Sequence, residues 1–387
     1  MSETHMYDLN LLGTIDVDNE EQYKRTKSSL RKEASDLIKS LYGSGYCELA
    51  SSGINAIYVT FKAILTLNKN QQNQQNQQNK NNITIFVSDE VFSGTRTYIF
   101  KKLFKDYADN IDIIYFDVTN KHVLIKNIVK YRDTIKCIFI ESVSNPNGKM
   151  IDWSIFDEYK DILKQTYVIV DNTFLSPELF NPFLHGANIV IDSGSKYLSD
   201  TKCISGVISI KMDDNLGELR DEIDNQINYM GIHFPDIYAD LIIQGIASLE
   251  NRVIRAHERT VHAIDVIKEI SDKYDIDVIN HTSLQNVNYA NYIKKLYPVV
   301  NVHYKSKFFR EITDKVYVKD LYELIDKTIR SSKFELKTSF GHKHDSIDNY
   351  YKINRDGIWL RFAIGYEETE LDFKSKICGL FDSFNLS

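Results

Sequence analysis

Between residues 83 and 211 short, nearly unbroken apolar runs alternate with longer amphipathic stretches. The runs are ITIFVSD (83–89), IDIIYFD (111–117), CIFIES (137–142), YVIVDN (167–172), IVIDS (189–193) and GVISIK (206–211). Runs so rich in β-branched residues, with little alternation, predict strands covered on both faces. Stretches between them, such as TRTYIFKKLFKDYADN (95–110), predict helices. Strands separated by helices predict a parallel or mostly parallel sheet flanked by helices, an α/β fold. In such sheets ligand chemistry collects at the carboxyl ends of the strands. Four of these runs end in polar residues there: Ser88-Asp89, Glu141-Ser142, Asp171-Asn172 and Asp192-Ser193. From about 235 to 275 the periodicity is helical and predicts one long linking helix. Short mixed elements follow (DIDVIN, VNVHYK, WLRFAIG) and predict a smaller α+β domain.

Composition narrows the class. Of 387 residues, 43% are hydrophobic and 26% charged, ordinary for a globular protein with a large core. Lys and Arg number 47 against 54 Asp and Glu, a net charge of −7. A mildly acidic chain lacks the electrostatic footprint of a nucleic-acid binder, so no nucleic-acid partner is expected. Cys47, Cys137, Cys203 and Cys378 are widely spaced, with no CxxC pair and no zinc spacing, which predicts reduced thiols and no metal site. The acidic N-terminus lacks signal-peptide character, and no apolar run reaches the ~18 residues of a membrane span. The expected location is cytoplasmic, without membrane association. One segment, NKNQQNQQNQQNKNN (68–82), has nothing apolar to bury and is expected to be a flexible surface insertion between a helix and a strand.

Four segments carry candidate chemistry. SSGINAI (51–57) opens a helix with small residues, and exposed backbone N–H groups at such a terminus suit a phosphate; the same pattern serves as an ordinary N-cap. ESVSNP (141–146) ends a strand in Glu141 and turns at Asn145-Pro146. VDNTFLSP (170–177) places Asp171 at the end of a buried strand, where a carboxylate needs a partner such as a protonated ring nitrogen, or serves as a cap. SGSKYLSD (193–200) places Lys196 directly after another buried strand, where desolvation would lower its pKa and make it a nucleophilic amine.

Together, in this order, the segments resemble the pyridoxal 5'-phosphate (PLP) enzymes of cysteine and methionine metabolism, the trans-sulfuration family of cystathionine γ-synthases, cystathionine lyases and homoserine-ester sulfhydrylases. The family patterns SSGMAAI, DxxYGGT, E-x-x-x-NP, VDNTFxSP and S-x-TKYxxGH stand here as SSGINAI, SDEVFSGT, ESVSNP, VDNTFLSP and SGSKYLSD. The resemblance runs from about Tyr23 to Glu368. It implies the aspartate-aminotransferase-type fold (fold type I). An N-terminal arm (1–50) would contact a neighbouring subunit, a PLP-binding α/β domain would occupy 51–250, and a C-terminal α+β domain 251–387. Lys196 would form the Schiff base with the cofactor, and Asp171 would keep the pyridine nitrogen protonated. Gly53, Ile54, Ser193 and Ser195 would hold the phosphate, Asn145 would reach the ring hydroxyl, and Phe92 would stack on the ring. YKR (23–25) resembles the family's YxR, so Tyr23 and Arg25 would serve the neighbouring subunit's phosphate in a homodimer or homotetramer with shared sites. KTSFG (337–341) and WLRFAIGYEE (359–368) resemble the family's SLGG turn and IRLSVGIE strand, so that Arg361 would clamp the substrate carboxylate with support from Ser339.

Three departures matter. Phe92 stands where the family has a tyrosine, Asp200-Thr201 where it has Gly-His, and the turn after Ser339 is longer by a residue and carries His342 and His344. Those histidines are either replacement proton carriers or solvated loop residues. The implied activity is PLP-dependent elimination or replacement at Cβ or Cγ of a sulfur amino acid or activated homoserine. The alternatives are a specialised biosynthetic enzyme using a vinylglycine-type intermediate with another nucleophile, and a PLP-binding sensor with little catalysis.

Overall fold

The computed structural model describes residues 28–74, 82–102, 104, 111–285, 289–305, 318–348, 352–354, 357–367 and 370–386. Helix α1 (Ser29–Tyr42) is capped by the Ser28 hydroxyl, which accepts from the Arg31 N–H, and stops at Gly43 in the left-handed region. Strand β1 (Tyr46–Ala50) follows, then α2 (Gly53–Gln74). The predicted runs form β2 (Ile83–Ser88), β3 (Ile111–Phe116), β4 (Ile135–Glu141), β5 (Tyr167–Asp171), β6 (Ile189–Asp192) and β7 (Gly206–Ile210).

These seven strands make one sheet in the order β1-β7-β6-β5-β4-β2-β3. Strands β3, β2, β4, β5 and β6 are mutually parallel, while β7 runs antiparallel to both β6 and β1. The sheet is thus mostly parallel. β2, β6 and β7 are buried at every position, as their continuous apolar runs require. β3 is exposed or half-buried from Ile111 to Tyr115 and buried at Phe116, because it lies at the sheet edge. One strand was not foreseen: β1 (YCELA) carries Glu48 in its middle and lacks the apolar run.

The expected flexible insertion at 68–82 begins as helix, since α2 continues through Gln74, and two helical expectations change in detail. Thr95–Lys102 winds as a π-helix rather than an α-helix. The long helix divides into Asp236–Ala247 and Leu249–Ile270. The break has a local cause. A Cβ on Gly245 would lie 2.1 Å from the Leu198 carbonyl oxygen, so the helix abuts the lysine loop there. Arg252, on the second helix, donates from Nη2 to both Gly245 O and Tyr197 O at 2.7 Å, tying the break to that loop.

The remaining chain builds a second, smaller sheet in the order β10-β11-β13-β9-β8, with β12 paired to β13. Its strands are β8 (Ile276–Asn280), β9 (Val299–Lys305), β10 (Glu335–Leu336), β11 (Ser346–Ile347), β12 (Lys352–Asn354) and β13 (Gly357–Ala363). Its own apolar cluster, with Ile267, Val302, Leu360 and Phe381, packs helices Leu249–Ile270 and Glu370–Leu386 onto it. Cys47, Cys137 and Cys203 are buried, Cys378 is half-buried, and all four are unpaired. Among the described residues no helix is long and apolar enough to cross a membrane.

Candidate functional site

β4 and β5 run side by side and end together, so Glu141 and Asp171 are register partners. Asp171 Oδ1 accepts from the Thr173 N–H at 3.1 Å and from the Thr173 hydroxyl at 2.5 Å. The same hydroxyl accepts from the Ser193 N–H at 2.8 Å. A relay therefore joins the end of β5 to the loop after β6. Asp171 is densely surrounded yet keeps some open surface; burial raises its pKa, and the two Thr173 contacts oppose that. Glu141 accepts from the Phe92 N–H at 2.5 Å, and burial followed by the Asp171 charge holds its carboxyl well above the usual carboxylate range. Beneath lies a further buried group: Tyr42 donates to Asp192 at 2.8 Å and accepts from Asn172 at 2.9 Å. Burial pushes Asp192 up to about 7.

The start of α2 faces this loop. Ser52 accepts the Asn55 N–H on its hydroxyl and the Ala56 N–H on its carbonyl. Gly53 and Ile54, one turn too early for an intrahelical acceptor, keep their N–H groups for an outside partner. Close approach explains the glycines. A Cβ on Gly53 would lie 3.0 Å from the Ser193 Cβ, and one on Gly206 would lie 2.1 Å from Ser52 O. Ser195 Oγ donates to Ser205 O at 3.1 Å and accepts from Ser205 N at 2.8 Å, so its single hydrogen is already used within the loop. Phe92 is 47% exposed, and Gly94 lies against its ring with Ile54 alongside.

Lys196 leaves the turn through its N–H bond to Ser193 O. Its amine donates to Ser339 Oγ at 2.8 Å and stands 5.2 Å over the Phe340 ring. Burial, aided by the Arg361 charge and opposed by Asp348, lowers its pKa from 10.5 to about 8. The loop ends at Asp200 and Thr201, both with positive φ (52° and 59°), a region that favours glycine. Asp200 is held there by the Tyr366 hydroxyl at 2.6 Å and by Arg252 Nη1 at 3.6 Å.

The second sheet supplies Arg361 from β13, only 8% exposed. Its Nη1 donates to Asn145 Oδ1 at 2.9 Å, and its Nη2 donates to Thr338 O at 2.7 Å and lies 2.6 Å from Asp348 Oδ2. The loops after β2 and β4 also reach this sheet. Asn147 donates to Glu90 at 2.8 Å and accepts from Asn280 at 3.3 Å.

Lys196, Ser339, Arg361 and Asn145 thus form one connected group, and Asp171, Ser193, Gly53, Ile54 and Phe92 another beside it. Tyr23 and Arg25 lie outside the described residues. His342 is not a solvated loop residue. It is buried, its Nδ1 lies 2.9 Å from His344 O and its Nε2 3.2 Å from Ser346 Oγ, while His344 is exposed. Thr173, Tyr42 and Asp348 escaped the sequence reading. Thr173 stands two residues after Asp171, the spacing of an Asx turn, and that signal was available. Tyr42 and Asp348 have no local signal, because their partners are remote in sequence.

The chain is 28% identical over 257 residues to a Bacillus subtilis (strain 168) protein named cystathionine gamma-synthase/O-acetylhomoserine (thiol)-lyase, covering 65% of this chain and 61% of that one. It is also 28% identical over 249 residues to a Dictyostelium discoideum cystathionine gamma-lyase, covering 64% and 57%. Neither match reaches two thirds of the relative's own length. The fold is similar to the solved structure of cystathionine gamma synthase from Xanthomonas oryzae pv. oryzae in complex with cystathionine, with a TM-score of 0.73 at 20% identity over 95% of this chain and 89% of that one. The family model described as Cys/Met metabolism PLP-dependent enzyme matches residues 2–370, which takes in both sheets and every residue of the site. A desolvated lysine beside a buried arginine, in the loop after β6 next to the end of β5, accords with that match, and the chain belongs to the family of PLP-dependent enzymes of cysteine and methionine metabolism.

Proposed function

We propose that the protein catalyses PLP-dependent elimination or replacement at Cβ or Cγ of a sulfur amino acid or an activated homoserine. The observation that carries this reading is the Lys196 amine, lowered to about 8 and placed beside Arg361. The chain's own groups fit the cofactor. Gly53 and Ile54 offer N–H groups to an anion, Asp171 is a carboxylate suited to a protonated ring nitrogen, and the Phe92 ring is open for stacking. Ser193 stands against Gly53 and joins the phosphate set, whereas Ser195 joins it by turning its hydroxyl from Ser205 O. Asn145 accepts from Arg361 on its Oδ1 and keeps its amide hydrogens for the ring hydroxyl.

When bound, pyridoxal phosphate supplies an electron sink for charge developing at the substrate Cα. Lys196 would hold the cofactor, and its amine, once free, would carry the proton at the substrate Cα. Its lowered pKa keeps a useful fraction of the amine neutral near pH 8. Ser339 positions that amine, and Arg361 orients the α-carboxylate. Arg361→Lys keeps the charge but loses the fork, and so weakens KM roughly tenfold or more.

Phe92 favours a second reading, the specialised biosynthetic enzyme with another nucleophile. The phenol is absent, and His342 gives its ring nitrogens to His344 O and Ser346 Oγ within its own turn. The sensor reading fits less well, since a scaffold needs neither Lys196 nor Arg361. Four unpaired cysteines support a cytoplasmic setting. Exposed Ile204 and Met212, at 68% and 76%, lie on the segment that follows the lysine loop and support a homodimer or homotetramer in which Tyr23 and Arg25 complete a partner's site.

The test is borohydride reduction of purified holoenzyme with peptide mapping, together with product analysis on a panel of amino acids. The reading expects the label on Lys196 and either 2-oxo acid with ammonia or a β- or γ-substituted amino acid. Label on another lysine overturns the assignment of the site, a new bond to another nucleophile selects the second reading, and no turnover selects the sensor.

A further inference from the structure

The guanidinium that would take the substrate carboxylate already holds a carboxylate of this chain. Arg361 Nη2 lies 2.6 Å from Asp348 Oδ2, with the two side chains 8% and 13% exposed. The contact is built by strand pairing: β11 and β13 are antiparallel, and the Asp348 N–H donates to Arg361 O at 3.0 Å immediately after β11. Both charges also act on Lys196, so the pair borders the reacting amine.

A guanidinium grips a carboxylate at two points in one of two ways, through Nη1 with Nη2 or through Nε with Nη2. Both need a hydrogen of Nη2. That nitrogen carries two hydrogens; it donates one to Thr338 O and stands in ion-pair contact with Asp348 Oδ2. An incoming carboxylate must displace one of them. Thr338 O belongs to the main chain of a turn pinned by the Lys337 N–H on Ile347 O at 3.0 Å. Asp348 is a short side chain that leaves by rotation about χ1 and χ2.

We propose that Asp348 is a specificity-determining residue: an internal carboxylate that competes with the substrate α-carboxylate for Arg361 and yields its place when substrate binds. This rests on the reading of Arg361 as the carboxylate anchor. The exchange of one carboxylate for another offsets part of the attraction that Arg361 alone would give, so the α-carboxylate contributes less affinity than it would at an uncontested guanidinium.

The experiment titrates holoenzyme with L-homoserine and with 3-aminopropan-1-ol, the same amine without the carboxylate, and follows the visible cofactor band. Asp348→Asn and Asp348→Ser should each tighten L-homoserine about tenfold, the scale of a charge-assisted hydrogen bond no longer contested, and leave 3-aminopropan-1-ol within about twofold. Arg361→Lys should weaken L-homoserine alone. If Arg361→Lys does so but neither Asp348 variant tightens L-homoserine, or either weakens it, the competition is refuted while the anchor stands. If Arg361→Lys shifts both amines equally, the anchor reading fails and the competition with it. The two Asp348 variants differ in size and hydrogen bonding, so failure of one to fold leaves the other to decide.

Discussion

Replacing Lys196 by methionine should stabilise the cofactor-free protein, and the gain should depend on pH with a definite sign. The amine shifts from 10.5 to about 8 because burial penalises its charged form. At pH 7 the folded protein must keep that amine charged in a desolvated place, while the unfolded chain keeps it charged in water. Each pKa unit is worth about 1.4 kcal/mol, so the cost is about 3 kcal/mol. Methionine is unbranched and apolar, fits the same slot, and removes the charge. It also removes the bond to Ser339, a net loss of about 1 kcal/mol, softened because Ser339 is half-buried and can bind water. The net expectation is about 2 kcal/mol in favour of Lys196→Met at pH 7. Between about 8 and 10.5 the unfolded chain binds the proton and the folded one does not, so wild-type stability rises with pH. The advantage of the variant should be full below pH 8 and shrink steadily above it. Urea unfolding of both cofactor-free proteins at pH 7, 8.5 and 9.5 measures this, read as the difference between them. A constant difference across that range, or a wild type more stable at pH 7, would refute the claim that the lysine is held against its own charge.

Other consequences follow from the same geometry. Glu141→Gln should leave stability within about 1 kcal/mol and cofactor affinity nearly unchanged by absorbance titration, because burial and the Asp171 charge favour the neutral form of Glu141 and the amide oxygen still accepts from Phe92. Asp171→Asn, in contrast, cannot hold a ring proton, and turnover should fall roughly 100-fold or more while circular dichroism stays native. Phe92→Tyr should raise turnover of cystathionine if the protein is a slow member of the standard family and lower turnover of its true substrate if Phe92 is an adaptation; no change on any substrate leaves Phe92 a stacking surface. Mixing inactive Lys196→Ala with inactive Arg25→Ala subunits should restore part of the activity. Proven subunit exchange without such recovery would count against a shared site.

What the sequence determined by itself is local and repetitive. Continuous β-branched runs predicted strands, and six strands of the large sheet could be read from them, though β3 lies half-exposed at the edge; Asp171 and the Lys196 loop stand at the ends where ligands gather. Backbone needs were legible too, since Gly53 stands where a helix terminus must approach a loop. Tertiary structure decided whatever depended on partners remote in the chain. β1 became a strand because β7 offered it an edge, despite Glu48 in its middle. The long helix broke at Ser248 because Gly245 and Arg252 met the lysine loop. His342 was drawn into the core by Ser346, and Asp200 was held at positive φ by Tyr366 and Arg252. The pairing of Asp348 with Arg361 arises from the register of β11 on β13, thirteen residues apart in the chain yet adjacent in the sheet. Periodicity reports the environment a segment needs, whereas the pKa of a lysine or the occupancy of a guanidinium is set by which charges folding places next to it, and those distances exist only in the folded chain.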